Sequence, residues 1–189
     1  MSEADVLLWI HQWANPWLDG FFRVSHDLGR MVVLLAIAGA VVGWHAGEKR
    51  WRRAGAWLVL ALMTVALLHG MKYLIARDRP QLWPRLMEQG GESFPSGHAL
   101  GSAALFTLVA WEVSQRRPKQ RAVFYAIAVA GSLWLGFGRL YLGVHWPSDV
   151  VAGWVLGASI AAGGIALLTR LDEGERPARG TSTNGSKAG

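Results

Sequence analysis

The chain has 189 residues, 52% of them hydrophobic, with 11 Trp, 23 Gly and no cysteine. That length suits one domain, and the missing cysteines exclude disulfides and thiolate metal sites. A formal charge of +6 invites a nucleic-acid partner, but the cations sit between long apolar runs, which replaces that reading with a membrane.

Residues 1–30, "MSEADVLLWIHQWANPWLDGFFRVSHDLGR", are amphipathic rather than continuously apolar. Trp9, Trp13 and Trp17 recur every fourth position, near one helical face, although Pro16 interrupts or restarts the helix. The pattern predicts one or two amphipathic helices lying in the membrane interface. A sixth, polar span is the alternative.

Five later stretches are long enough and poor enough in charge to cross a bilayer, at about 31–47, 55–75, 97–113, 121–138 and 149–169. The fold class expected is all-α: an integral membrane bundle of five transmembrane helices plus the N-terminal interfacial helix. Basic residues mark alternate connections: Lys49, Arg50, Arg52 and Arg53 after the first span, and Arg116, Arg117, Lys119 and Arg121 after the third. Arg170, Arg176, Arg179 and Lys187 follow the fifth. The positive-inside rule makes that side cytoplasmic, with the C-terminus, and turns segments 72–96 and 139–149 to the exterior of the cell membrane. No cleavable signal peptide is visible, so the first span serves as the insertion signal. The organisation expected is an interfacial segment over 1–30, a transmembrane domain over 31–170 and a disordered cytoplasmic tail over 171–189. Gly39, Gly43 and Gly47, Gly97 and Gly101, and Gly153 and Gly157 permit close helix contact. Packing inside the bundle is favoured, with a homo-oligomer as the other use of those faces.

Three polar clusters interrupt the apolar sequence. "KYLIARDRP" supplies Lys72, Arg77, Asp78 and Arg79 before Pro80. Lys72 and Arg79 lie about two turns apart and share a face if the helix runs that far; taken alone, snorkelling cations explain them better. "FPSGHALG" places Ser96, Gly97 and His98 at the start of a span, where free N–H groups attract anions. "GRLYLGVHWPSD" holds Arg139, His145 and Asp149, with Pro147 in the first helical turn. The Asp149 carboxylate there can orient the His145 imidazole and leave one nitrogen free as a nucleophile. The two prolines, Pro95 and Pro147, are expected to start their helices. Together the clusters offer three cations, backbone donors and two histidines on one membrane face, an inventory for phosphoryl transfer. No carboxylate cage for Mg²⁺ is evident, so the fixed cations do the metal's work and no cofactor is expected.

These three motifs, in this order, resemble the signatures of the type 2 phosphatidic acid phosphatase family, which shares its site with vanadium haloperoxidases and bacterial acid phosphatases. The resemblance implies that Lys72, Arg79 and Arg139 bind phosphate, assisted by Ser96 and the Gly97 N–H. It implies that His145 attacks phosphorus, Asp149 orients it, and His98 protonates the leaving oxygen. The expected substrate is a lipid phosphate or diphosphate, such as undecaprenyl diphosphate, phosphatidylglycerol phosphate or phosphatidic acid. The alternatives are a phosphotransferase using the same histidine, or a non-catalytic protein binding lipid headgroups. One departure is Gly138, where the family often has serine. Arg77 and Asp78 are read as a local ion pair or as substrate contacts, and His69 as a packed or hydrogen-bonded histidine. His11, His26 and His45 receive no chemistry. Segment 82–94 is either a lid with Gly90-Gly91 as its hinge or a passive connector.

Overall fold

A computed structural model describes residues 1–84, 86–87 and 89–174, and those residues form seven α-helices and one 3₁₀ turn with no strand. The N-terminal segment divides where its sequence says it must. Helix α1 (Glu3–His11) opens on a reciprocal capping pair, Ser2 with Asp5, and α2 (Pro16–Leu28) opens on Asn15 with Pro16 in its first turn. With nine residues α1 is about 14 Å long, too short to cross a bilayer. Its inner face buries Leu7 and Ile10, while Trp9, Trp13 and Trp17 stay 56%, 64% and 72% exposed, as interfacial anchors would.

Helices α3 (Met31–Gly47), α4 (Trp51–Ile75), α5 (Gly97–Arg116), α6 (Arg121–Tyr141) and α7 (Pro147–Gly174) alternate in direction. Length and composition alone qualify three of them to cross a membrane: α4, α6 with the 3₁₀ turn before it, and α7. The number rises to four if α2 and α3, bent by 48° at their junction, act as one broken span. The 17 residues of α3 fall just short by themselves. Helix α5 is less apolar because the other helices wrap it. Its Ser102 hydroxyl bonds Ser132 of α6 at 2.9 Å, and Ser102, Glu112 and Ser114 are all buried. Outward-facing Leu58, Val59, Leu62, Met63, Val129, Leu133, Val151 and Val155 give the bundle an exposed apolar belt.

The α5–α7 contact depends on glycine. A methyl at Gly157 would lie 2.4 Å from the Leu100 carbonyl oxygen, and one at Gly153 would lie 2.7 Å from that of Ser96. Gly97 and Gly101 likewise face Leu68 and Leu34, so these glycines pack the bundle, whereas Gly39, Gly43 and Gly47 have open space beside them.

Three boundaries differ from expectation. Helix α4 stops at Ile75, with Ala76 in the left-handed region, so Arg79 lies on a loop and does not share a helical face with Lys72. Helix α5 starts at Gly97 rather than Pro95, with Ser96, extended at ψ 115°, as the capping position. Helix α7 begins at Pro147 as expected and continues to Gly174, four residues into the segment read as a tail. The rest of that tail, with Arg176, Arg179 and Lys187, lies outside the described residues.

Candidate active site

The three polar motifs meet at one end of the bundle, where α4 and α6 finish and α5 and α7 begin. A cavity of about 520 Å³ opens there, and its wall includes Lys72, Arg79, Gly97, His98 and His145. That volume suits a small-molecule site. Met31, Val32 and Leu68 complete one side, and Val32 is 65% exposed on the flank of the bundle.

His145 sits in the tight connection between α6 and α7. Gly143 makes the turn with φ +66°, a conformation unfavourable to side chains, and Trp83 packs where a methyl would stand. Arg79 Nη1 lies 3.1 Å from His145 Nε2. A guanidinium only donates, so Nε2 carries a lone pair and the ring proton is on Nδ1. Nδ1 in turn faces Asp149 Oδ2 at 3.5 Å, a charge contact longer than a good hydrogen bond. Burial drives the His145 pKa down to about 3; Asp149 opposes the shift and the charges of Arg139 and Arg79 reinforce it. The imidazole is therefore neutral, with Nε2 turned to the cations.

Asp149 is fully buried at the start of α7. Its Oδ2 accepts from the Trp146 N–H at 2.8 Å, and its Oδ1 accepts from Arg77 at 2.8 Å. Arg77 also reaches Ser148 Oγ at 2.6 Å and Glu3 at 2.5 Å, so it clamps the aspartate and ties α1 to α7. It makes no ion pair with Asp78. Burial works against its charge, but the Glu3 hydrogen bond and the Asp149 charge outweigh that and hold its pKa above the ordinary value. Glu3 completes the link by accepting from the Ser148 N–H at 2.8 Å, at the positive end of α7.

The cations are already occupied. Arg79 donates to the carbonyls of Gly91, Val144, Gly90 and Glu92 at 2.7–3.2 Å, and Lys72 donates to that of Glu92. Arg139, wholly buried behind the cavity wall, donates to Gln89 Oε1 at 2.9 Å. Segment 89–92 therefore covers three cations with uncharged acceptors, and Gly91 adopts φ +71° within it. Ser96 Oγ is buried with no hydrogen-bond partner among the described residues, beside the first free N–H groups of α5.

All eight residues singled out from the sequence converge: His98, His145, Asp149, Lys72, Arg79, Ser96, Gly97 and Arg139. His69 does not; it is exposed on α4. The sequence reading missed the contribution of α2. His26 and Arg30 line the cavity, His98 Nε2 donates to the His26 carbonyl at 2.9 Å, and a methyl at Gly29 would lie 2.2 Å from the His98 ring. Glycine at 138 has a cause on α2 as well: a Cβ there would stand 2.2 Å from Ser25 Oγ. No local motif marks these residues, since α2 reaches the site only through packing.

The sequence profile of the PAP2 superfamily matches residues 54–172, which include all three motifs. Phosphatidylglycerophosphatase B of Bacillus subtilis is 32% identical over 83% of this chain and 76% of its own length. An undecaprenyl-diphosphatase of Sulfolobus acidocaldarius is 33% identical over 76% of this chain and 68% of its own. The crystal structure of a transmembrane PAP2-type phosphatidylglycerolphosphate phosphatase from Bacillus subtilis superposes with a TM-score of 0.77 at 26% identity. It covers 94% of this chain and 87% of that one.

Proposed function

This chain belongs to the PAP2 superfamily, and from that premise we propose that it hydrolyses a lipid phosphate or diphosphate through a phosphohistidine at the exterior face of the cell membrane. The observation that carries the reading is the convergence of Lys72, Arg79, His98 and His145 on one cavity, with Asp149 behind the nucleophile. In this reading α3–α7 each cross the membrane, α1 and α2 lie at its exterior surface, and the basic loops face the cytoplasm.

The substrate's phosphate replaces uncharged acceptors with charged ones. Lys72 and Arg79 leave the carbonyls of segment 90–92 for phosphate oxygens, and Arg139 joins them, because charge-assisted hydrogen bonds are about twice as strong as neutral ones. Ser96 Oγ and the Gly97 N–H supply two further donors. His145 Nε2, released from Arg79, attacks phosphorus; the N–P bond forms as the P–O bond to the lipid breaks. Asp149 stabilises the positive charge this places on the imidazole. His98, entering the step as the imidazolium, gives its Nδ1 proton to the departing oxygen, then takes one from the water that attacks the phosphohistidine, and the N–P electron pair returns to His145. The fixed cations carry the equatorial charge throughout, so the reaction needs no metal. Lipid tails remain in the bilayer beside Met31, Val32 and Leu68 while the headgroup enters the cavity.

Phosphate release from purified lipid mono- and diphosphates, measured in detergent with a chelator present, tests the proposal. Turnover that survives chelation and disappears in His145→Ala is the expected result. Full activity in that variant, or loss of activity on chelation, overturns the mechanism. Faster transfer to a lipid or sugar acceptor than to water would instead make the protein a phosphotransferase.

A further inference from the structure

Helix α2 lies outside the segment that matches the superfamily profile, yet it enters the site at two points of one residue. Arg139 Nη1 is 2.6 Å from His26 Nδ1. Because the guanidinium has only hydrogens to offer, His26 Nδ1 is the acceptor and its proton resides on Nε2. The same residue's carbonyl accepts from His98 Nε2 at 2.9 Å, which leaves His98 Nδ1 as the nitrogen available to the leaving group. The two rings also stack, with centroids 5.4 Å apart and planes 16° from parallel. Gly29 makes the approach possible, three residues on.

Arg139 has few other constraints. Its Nε is buried without a hydrogen-bond partner among the described residues, and its remaining side-chain acceptor is Gln89 on the covering segment. When phosphate displaces that segment, Gln89 moves with it, whereas His26 is held by a helix whose own start is tied to α6 through Tyr141 and Asp19.

We propose that His26 is a positioning residue for the phosphatase reaction: its neutral imidazole aims the Arg139 guanidinium at the phosphate, and its backbone oxygen and ring hold His98 by Nε2 so that Nδ1, which carries the second proton in the imidazolium, is turned to the leaving group. The inference rests on the function proposed above. It concerns a side chain that touches no reacting atom and acts through two that do.

Three variants separate positioning from bulk. His26→Asn keeps an oxygen near the place of Nδ1; His26→Gln keeps polarity but moves its amide beyond it; His26→Leu removes the acceptor. Each is assayed for lipid-phosphate turnover and for inhibition by orthovanadate, a probe of the phosphate cradle that needs no leaving group. One oriented hydrogen bond to a charged group corresponds to about 10- to 100-fold in kcat/KM for His26→Gln and His26→Leu. Vanadate inhibition should weaken in parallel, and His26→Asn should recover both to within about threefold of the unmodified chain. Asparagine and glutamine variants of equal activity, or a leucine variant with undiminished vanadate affinity, overturn the proposal. An unmodified chain that neither turns over lipid phosphate nor binds vanadate overturns the functional reading itself.

Discussion

The bundle buries two polar clusters, one at each end, and they are built on opposite principles. At the end away from the cavity, Glu112 accepts from Arg53 at 3.3 Å and from the Trp57 indole at 3.4 Å, with His45 at 3.5 Å and Asp172 closing on Arg53 at 3.3 Å. Carboxylates there face the cations directly, and Arg53, His45 and Glu112 are almost wholly buried. At the cavity end, Lys72, Arg79 and Arg139 donate to backbone carbonyls and the Gln89 amide or face neutral imidazoles, while the buried carboxylate, Asp149, is taken by Arg77. The first cluster is neutralised from within and joins α3, α4, α5 and α7. The second sets its cations beside an open cavity. The first arrangement suits a structural network, and the second, with Lys72 and Arg139 hydrogen-bonded to neutral acceptors, suits the proposed phosphate site.

Substitutions at the two ends should break that symmetry in order of size. His145→Ala removes the proposed nucleophile and should lower kcat by about 10⁴-fold or more in the phosphate-release assay, with the fold intact. Glu112→Ala should do the reverse. It leaves Arg53 with Asp172 alone and His45 without its carboxylate in the interior, and should cost about 3 kcal/mol, read as a fall in the thermal midpoint in detergent, while the kcat of the folded fraction stays within about twofold. Arg77→Gln lies between these extremes, since it withdraws a charged hydrogen bond from Asp149 without touching substrate. A loss of about tenfold in kcat with KM little changed is expected.

Acid sharpens the comparison least but most distinctively. His145 is held neutral, so its pKa is lower folded, at about 3, than unfolded, at 6.5. The unfolded chain then binds the extra proton first, and stability falls as pH drops from 6.5 towards 3, being fully present above that window. The contribution is on the order of 1 kcal/mol for each pH unit crossed. Unfolding of His145→Gln, followed at several pH values, should show a shallower acid slope than that of the unmodified chain; an unchanged slope would place the sensitivity elsewhere.

What could be read beforehand, and what could not, follows the range of the interactions. The α7 start was legible because proline at a first helical turn is a local preference, and the N-terminal break because Asn15-Pro16 is one too. The end of α4 was less so. Nothing between Lys72 and Pro80 marks Ala76 as the left-handed residue, and four-acceptor capture of Arg79 by distant carbonyls is what holds the loop away from helix. His26 and Ser25 carry no motif at all; their places beside Arg139 and Gly138 follow from a helix–helix contact.

The chain's covalent order by itself determined a helical membrane protein with three phosphate-directed motifs, because apolar run length, proline placement and charge asymmetry act over one or two helical turns. Only the packed bundle decided which atoms meet: that Arg79 faces His145 Nε2, that Arg77 serves Asp149 rather than Asp78, and that α2 helps to line the cavity. Those choices depend on contacts between residues far apart along the chain, such as the 113 positions that separate His26 from Arg139, where close packing and the need to satisfy every buried donor select one arrangement.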